Sequence, residues 1–396
     1  MNKSLDIKDL QLNALLEVTQ AVNSNLPEDD LFKIYKFTLL ADLKINKLAL
    51  FTQREEEWIC RVHFGTSANC NLSKLPEEYE NLKEELKVKQ GTGFYAEFDS
   101  VFPVYHKNKL LAIVFISDNS ELSVQNRFLN ALTNIILVAI ENKKLARQQI
   151  EQEAYKRELE IAKKVQNFLF PKELPKLDRL KIEAFYLPHH DVGGDYYDYI
   201  QIDEHKFMAC IADVSGKGVP AALLMSNFQA SLRTLLRQTK DLKEIVTELN
   251  LTTYRSGNAE NFITFFGAIY DFETSDLEYI NCGHNEIILK EKDKITLLND
   301  GTTVLGMFDP LPFIETKKIS NLKDFFLFTY TDGLTETFSE ADEEYGFDRL
   351  MKIIEKPFPE DLSKLHKFII NELNAFKGKR AYHDDITILS CRIQNK

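Results

Sequence analysis

Five aspartates stand where apolar runs meet polar turns, most of them close to glycine. Asp213 ends the run Phe207 to Ala212 and opens Ser-Gly-Lys-Gly, while Asp195 follows Gly193-Gly194. Asp332 ends "FFLFTYT" and precedes Gly333, and Asp384-Asp385 lead into "ITILSCRI". One such junction is ordinarily a turn. Four in one region carry a further implication, because strands that share a sheet bring their ends together. Converged carboxylates repel one another unless a cation neutralises them. An all-oxygen set without His or Cys suits Mg²⁺ or Mn²⁺ rather than Zn²⁺. Glycine beside such an aspartate lets the backbone approach an ion or a phosphate closely. Two divalent ions roughly 4 Å apart, bridged by a water, would supply a hydroxide nucleophile and screen a phosphoryl group.

Other polar residues near these junctions admit two readings each. Lys217 lies in a glycine-flanked loop just before a helix start, where an anion is favoured; it either touches substrate phosphate or is a solvated loop lysine. Its "GKG" lacks the spacing of a nucleotide-binding P-loop. His284 in "NCGHNE" is either a general acid for a leaving serine oxygen or a loop-stabilising residue. His383 reads as a neighbour of the ligands or as structural, and Tyr196 and Tyr197 as packing.

These residues need a sheet to place them. From about residue 178 the chain is mostly strand-like: "KIEAFYLP", "KFMACIAD", "ITFFGAIYD", "LEYINCGH", "EIILKEKD", "KITLLND", "FFLFTYTD" and "DDITILSCRI". Two helical patterns lie between them, "VPAALLMSNFQASLRTLLRQ" with Pro220 in its first turn, and "DLKEIVTELNLTTYR". Helices clustered between strand runs predict an α+β layered fold.

Residues 1–145 form a separate zone: two amphipathic helices, strand-like runs, a hairpin in "PVYHKNKLLAIVFI", and a closing helix from Val124. That helix meets neither Gly nor Pro until Pro171. Residues 146–177 therefore read as a helical connector, either packed on a neighbour or pairing two chains in a coiled-coil-like dimer.

With 396 residues the chain exceeds one typical core, and a net charge of -12 speaks against nucleic-acid or membrane-surface partners. The five cysteines are scattered, which predicts neither a disulfide framework nor a zinc site; Cys60, His63 and Cys70 are too loosely arranged for a haem or metal. No signal peptide or membrane span is legible, so a cytoplasmic setting is expected.

Taken in order, "GGDYYDY", "ADVSGKGVPAALLM", "NCGHNE", "YTDGLTE" and "HDDITIL" closely resemble the PPM (PP2C-like) serine/threonine phosphatases of the bacterial RsbU/SpoIIE type. The resemblance covers about 160–396, including the lead-in "KKVQNFLFPKELP". It implies a two-sheet β-sandwich flanked by helices over 178–396, with two Mn²⁺ or Mg²⁺ ions between the sheet edges. Asp195 and Asp213 would be the catalytic pair. Asp213 would bridge both ions, the Val214 carbonyl would add an oxygen, Asp195 would serve the first ion, and Asp332 and Asp384 the second. Asp385 remains the alternative to Asp384. The arginine with which larger eukaryotic members hold phosphate has no counterpart here.

The first zone resembles a GAF sensor domain in pattern, without the signature of the cyclic-nucleotide-binding type. The resemblance implies a protein phosphatase acting on a phosphorylated STAS-type anti-sigma-factor antagonist, as a homodimer through the GAF-like domain and connector. The alternative is a catalytically inactive scaffold with the same fold, against which the intact aspartate set argues.

Overall fold

The computed structural model describes residues 2–41, 43, 45–54, 57–66, 75–88, 94–117, 123–257, 261–292, 294–357 and 361–395. The chain divides into two compact units, Met1–Ala154 and Tyr155–Lys396.

In the first unit, helices α1 (Asn2–Asn23) and α2 (Glu28–Ala41) precede strands β1 (Lys47–Arg54) and β2 (Glu57–Phe64). Short α3 (Glu77–Glu80), β3 (Leu86–Lys87), β4 (Ser100–His106) and β5 (Lys109–Ser117) follow. Glu28, Asp29 and Asp30 occupy the first turn of α2, where the helix dipole favours them. The sheet order is β2-β1-β5-β4-β3. The expected hairpin is β4–β5, and its two turn residues, Lys107 and Asn108, have φ of 45° and 65°. A two-residue turn with both φ positive matches the twist of the strands it joins. One sheet face packs on helical residues including Val18, Tyr35, Leu39 and Leu132. The other carries Phe51, Tyr79, Phe98 and Phe115.

Helix α4 (Ser123–Asn167) is one uninterrupted element of 45 residues, as the lack of Gly and Pro predicts. The second unit continues with β6 (Lys176–Leu177), β7 (Leu180–Leu187), β8 (Tyr196–Gln201), β9 (Lys206–Val214), α5 (Val219–Gln238), α6 (Leu242–Gly257), β10 (Ile263–Asp271) and β11 (Asp276–Cys282). Next come β12 (Ile287–Glu291), β13 (Lys294–Leu298), β14 (Gly301–Thr302), β15 (Lys317–Ile319), β16 (Asp324–Tyr330), α7 (Asp332–Thr335), α8 (Phe347–Ile354), α9 (Leu362–Lys377) and β17 (Ile386–Gln394).

These strands form two six-stranded sheets. One runs β14-β11-β10-β9-β8 with β15 beside β11, and the other β13-β12-β16-β17-β7-β6. Phe207, Ile211, Phe266 and Tyr270 of the first meet Ile182, Leu289, Phe325 and Leu389 of the second in a shared core. Outside the first sheet lie α5 and α6, through Met225, Phe228, Leu232 and Leu249. Outside the second lie α8 and α9, through Leu350, Ile354, Ile369 and Leu373. Each central strand is thus covered on both faces, which is why the strands read as continuous apolar runs rather than alternating ones. The layered α+β architecture follows the expectation.

Among elements longer than four residues, three escaped the sequence reading: β8, α8 and α9. Leu362, Leu365, Ile369, Leu373 and Phe376 recur at helical spacing, so α9 had a legible signal. Cys210, Cys282 and Cys391 are buried free thiols. Cys60 is disulfide-bonded, a pairing that the scattered cysteine spacing did not suggest, because spacing does not report which chain segments meet. Cys70 lies outside the described residues. Among the described residues no helix is long and apolar enough to cross a membrane.

Candidate active site

Two antiparallel pairings bring the aspartates to one end of the sandwich. In the first sheet Tyr196 pairs with Ala212, so Asp195 before β8 and Asp213 near the end of β9 share an edge. In the second, Tyr330 pairs with Ile388, which sets Asp332 after β16 beside the residues preceding β17. The two edges are then tied together. Asp195, 1% exposed, accepts on Oδ2 the hydroxyl of Thr331 at 2.8 Å and that of Thr387. The Thr387 amide in turn donates to Thr331 Oγ1 at 2.9 Å.

The carboxyls raise one another's hold on a proton. Burial, then the charges of Asp213 and Asp385, lift Asp195 well above the usual carboxylate range, against the pull of the two threonine hydroxyls. Burial, then Asp332 and Asp384, push Asp213 up to about 8; its carboxyl is within hydrogen-bonding reach of Asp195. Burial and Asp384 raise Asp332, opposed by the Gly333 amide. Glu336, on the turn after α7, is raised by burial and by Asp332, and so belongs to the same acidic end. Such mutual repulsion is the signature of a set that gains from a cation.

Asp384 and Asp385 have different work. Asp384 Oδ2 lies 2.8 Å from Lys217 Nζ, and Asp384 Oδ1 accepts the Asp385 amide at 2.9 Å. Lys217 also donates to the His383 carbonyl. Asp385, by contrast, accepts the His189 amide on Oδ1 at 2.7 Å and the Gly194 amide on Oδ2 at 2.8 Å. Both of its oxygens are thereby spent on the loop that leads to Asp195.

The glycines make the close approaches expected of them. A Cβ on Gly194 would stand 2.8 Å from the Val214 carbonyl oxygen, and one on Gly193 would stand 2.2 Å from Asp385 Oδ2. The Val214 carbonyl therefore faces the loop of Asp195, as a shared oxygen site requires. The donors fit a hard cation in kind, being carboxylates and a carbonyl. They have not closed into a cage: among the described residues no group of three or more His, Cys, Asp or Glu stands ready around one ion.

His284 is engaged at both ring nitrogens. Nδ1 pairs with the Thr264 hydroxyl at 2.7 Å and Nε2 with the Tyr330 carbonyl at 3.0 Å, while the His284 amide donates to Asn281 Oδ1. A carbonyl accepts only, so Nε2 carries the proton and Nδ1 accepts from Thr264. Burial pushes the ring down to about 4, keeping it neutral. It bridges the two sheets and has no free nitrogen for acid catalysis.

Sequence reasoning missed the residues that hold these aspartates and their loop. Thr331 and Thr387 each lie inside a quoted motif, but nothing in their spacing to Asp195 announces contact. Gln166, at the end of α4, is bonded to Gly193. Asp198, fully buried, takes a bidentate fork from Arg233 at 2.7 and 2.9 Å and the Tyr196 hydroxyl, tying β8 to α5.

Residues 203–394 match the family of Stage II sporulation protein E (SpoIIE). The matched span, just under half of the chain, lies within the second unit. The chain is 28% identical to phosphoserine phosphatase RsbP of Bacillus subtilis over 58% of its own length and 56% of RsbP. It is 29% identical to phosphoserine phosphatase RsbU of the same organism, over 61% of this chain and 71% of RsbU. The chain thus spans little more than half of RsbP. The SiaA-PP2C domain of Pseudomonas aeruginosa superposes with a TM-score of 0.55 at 18% identity, covering 62% of this chain and 99% of that one, a likeness of fold. The matched span holds Asp213, Asp332, Asp384 and Asp385, and Asp195 precedes it.

Proposed function

We propose that the chain is a metal-dependent protein phosphatase that hydrolyses phosphoserine or phosphothreonine. The observation that carries this reading is the convergence of Asp195, Asp213 and Asp332, largely buried carboxyls whose ionisation is opposed by burial and by neighbouring charges, with Asp384 beside them. The names of RsbP and RsbU as phosphoserine phosphatases support it. Asp213 would be shared by two Mn²⁺ or Mg²⁺ ions, with Asp195 and the Val214 carbonyl serving one, and Asp332 and Asp384 the other. Bound there, such ions supply acidification of water and neutralisation of phosphoryl charge. The chain's own part is to hold the donors still. Thr331 and Thr387 fix one oxygen of Asp195, and Asp385 anchors the loop from His189 to Gly194. Lys217 sits beside Asp384 and can move to the entering phosphate or away from it.

The substrate in this reading is a phosphorylated STAS-type antagonist of an anti-sigma factor, with the GAF-like first unit as sensor. Leu145, Ile150, Tyr155, Ile161 and Val165 are exposed on α4, an apolar series suited to pairing two chains. The reading places the protein in the cytoplasm, where the Cys60 bond would be open to reduction. The test is Mn²⁺-dependent hydrolysis of p-nitrophenyl phosphate, repeated with Asp213→Ala. Turnover that needs both metal and Asp213 supports the reading. No turnover by the metal-supplied wild type favours the inactive scaffold instead.

A further inference from the structure

The end of α4 is bonded into the loop that carries Asp195. Gln166 is 5% exposed, and its amide satisfies both backbone groups of Gly193. Nε2 donates to the Gly193 carbonyl at 2.7 Å, and the Gly193 amide donates to Oε1 at 3.3 Å. One side chain thus bonds both backbone groups of a single residue, as a neighbouring strand would. Gly193 is enclosed from the other side, where an added Cβ would meet Asp385 Oδ2 at 2.2 Å and the Tyr186 hydroxyl at 2.5 Å.

The next two residues are held in series. The Gly194 amide goes to Asp385, and the Asp195 carboxylate takes Thr331 and Thr387. Three consecutive residues are therefore fixed from α4, from the start of β17 and from the turn after β16. Beyond Gln166 the same segment is secured further. Gln229 of α5 donates to the Leu169 carbonyl at 3.2 Å, and Phe170 packs on Tyr186 and Tyr197 with ring centroids 4.9 and 5.0 Å apart.

We propose that Gln166 is a positioning residue: through Gly193 it sets where Asp195 stands, so that the last turn of α4 governs how well the carboxylate cluster takes a divalent cation. Residues that orient a metal ligand typically cost 10–100-fold in affinity when lost. The inference rests on the metal-dependent reading above and deepens it by naming the contact through which the connector acts.

The experiment uses the full chain as wild type, Gln166→Ala, Gln166→Glu and, on the exposed face of α4, Gln152→Ala. Hydrogen exchange of the segment 188–195 reads the clamp without metal. Calorimetric titration with Mn²⁺ reads its consequence, and p-nitrophenyl phosphate turnover against Mn²⁺ concentration gives a third readout. Gln166→Ala should exchange faster in that segment and bind Mn²⁺ about 10-fold more weakly, with turnover recovered at excess Mn²⁺. Gln166→Glu keeps an acceptor for the Gly193 amide but sets a carboxylate against its carbonyl, and should shift the same way. Gln152→Ala should match the wild type.

Unchanged exchange or unchanged Mn²⁺ affinity in both Gln166 variants overturns the inference. So does exchange that quickens equally throughout the second unit, which would mark a general loss of structure. The two claims fail separately. A wild type that takes up no Mn²⁺ overturns the metal reading, whereas normal wild-type uptake left intact in Gln166→Ala overturns this inference alone.

Discussion

Thr331 donates its hydroxyl to Asp195 Oδ2 at 2.8 Å across the gap between the two sheets. Thr331 is fully buried and Asp195 nearly so, and the same hydroxyl oxygen receives the Thr387 amide. One threonine therefore couples the backbone of one sheet to a carboxylate at the edge of the other. Thr331→Val keeps the shape and removes the donor. It should weaken Mn²⁺ binding by about 10-fold, and lower stability by about 1–3 kcal/mol for the carboxylate left short of a partner. Metal titration and thermal melts of the same preparation check both.

Asp384 and Asp385 are adjacent yet should fail differently. Asp385→Asn retains one acceptor but turns an amide N–H₂ toward the amide of His189 or Gly194, loosening the loop. Its turnover should fall and then recover at high Mn²⁺. Asp384→Asn should give a larger loss that added Mn²⁺ does not repair. The reverse pattern in Mn²⁺ activation curves would move the ligand role to Asp385.

His284→Ala should cost stability and not chemistry. Its ring bridges Thr264 and Tyr330, so deletion strands partners at a cost of about 1–3 kcal/mol. A general acid would instead carry about 10²–10⁴ in rate. Turnover per folded molecule separates the two. The wild-type ring, held near 4 by burial, is neutral when folded, while the unfolded ring takes a proton below about 6.5. Its contribution to stability is thus complete above that pH and is lost as the pH falls toward 4.

Metal affinity should climb with pH. Without a cation Asp213 keeps its proton up to about pH 8, so below that an entering ion must displace it. Mn²⁺ binding should tighten by up to about 10-fold per pH unit from 6 to 8 and then level off. For the metal-free protein the same group works the other way. The folded state holds a proton that the unfolded state releases near pH 4, so this contribution to stability is lost as the pH rises toward 8. Calorimetry at three pH values, in buffers of different ionisation heat, counts the displaced proton.

How far the site was legible in advance depended on the reach of each contact. Asp195, Asp213, Asp332 and Asp384 could be read because each ends or precedes an apolar strand, and strand ends gather wherever sheets form. The start of α5 at Val219-Pro220 could be read because proline suits a first helical turn. Thr331, Thr387 and Gln166 could not. Their bonds to Asp195 and Gly193 span 136, 192 and 27 residues, and although each residue falls inside a quoted motif, nothing there names its partner. Asp385 was named only as a substitute ligand, since sequence cannot say which of two adjacent carboxylates turns toward backbone amides. Lys217 invited a role with phosphate, and its contact in the fold is Asp384.

In the proposed reading the aspartate cluster becomes a phosphatase site when a divalent cation joins it. Phosphate release from a phosphoserine peptide, followed with and without Mn²⁺ for the wild type and Asp213→Asn, tests it most directly. Turnover is expected in the wild type only with Mn²⁺, and none in Asp213→Asn at any Mn²⁺ concentration. Metal-independent release by the wild type, or full release by Asp213→Asn, would contradict it.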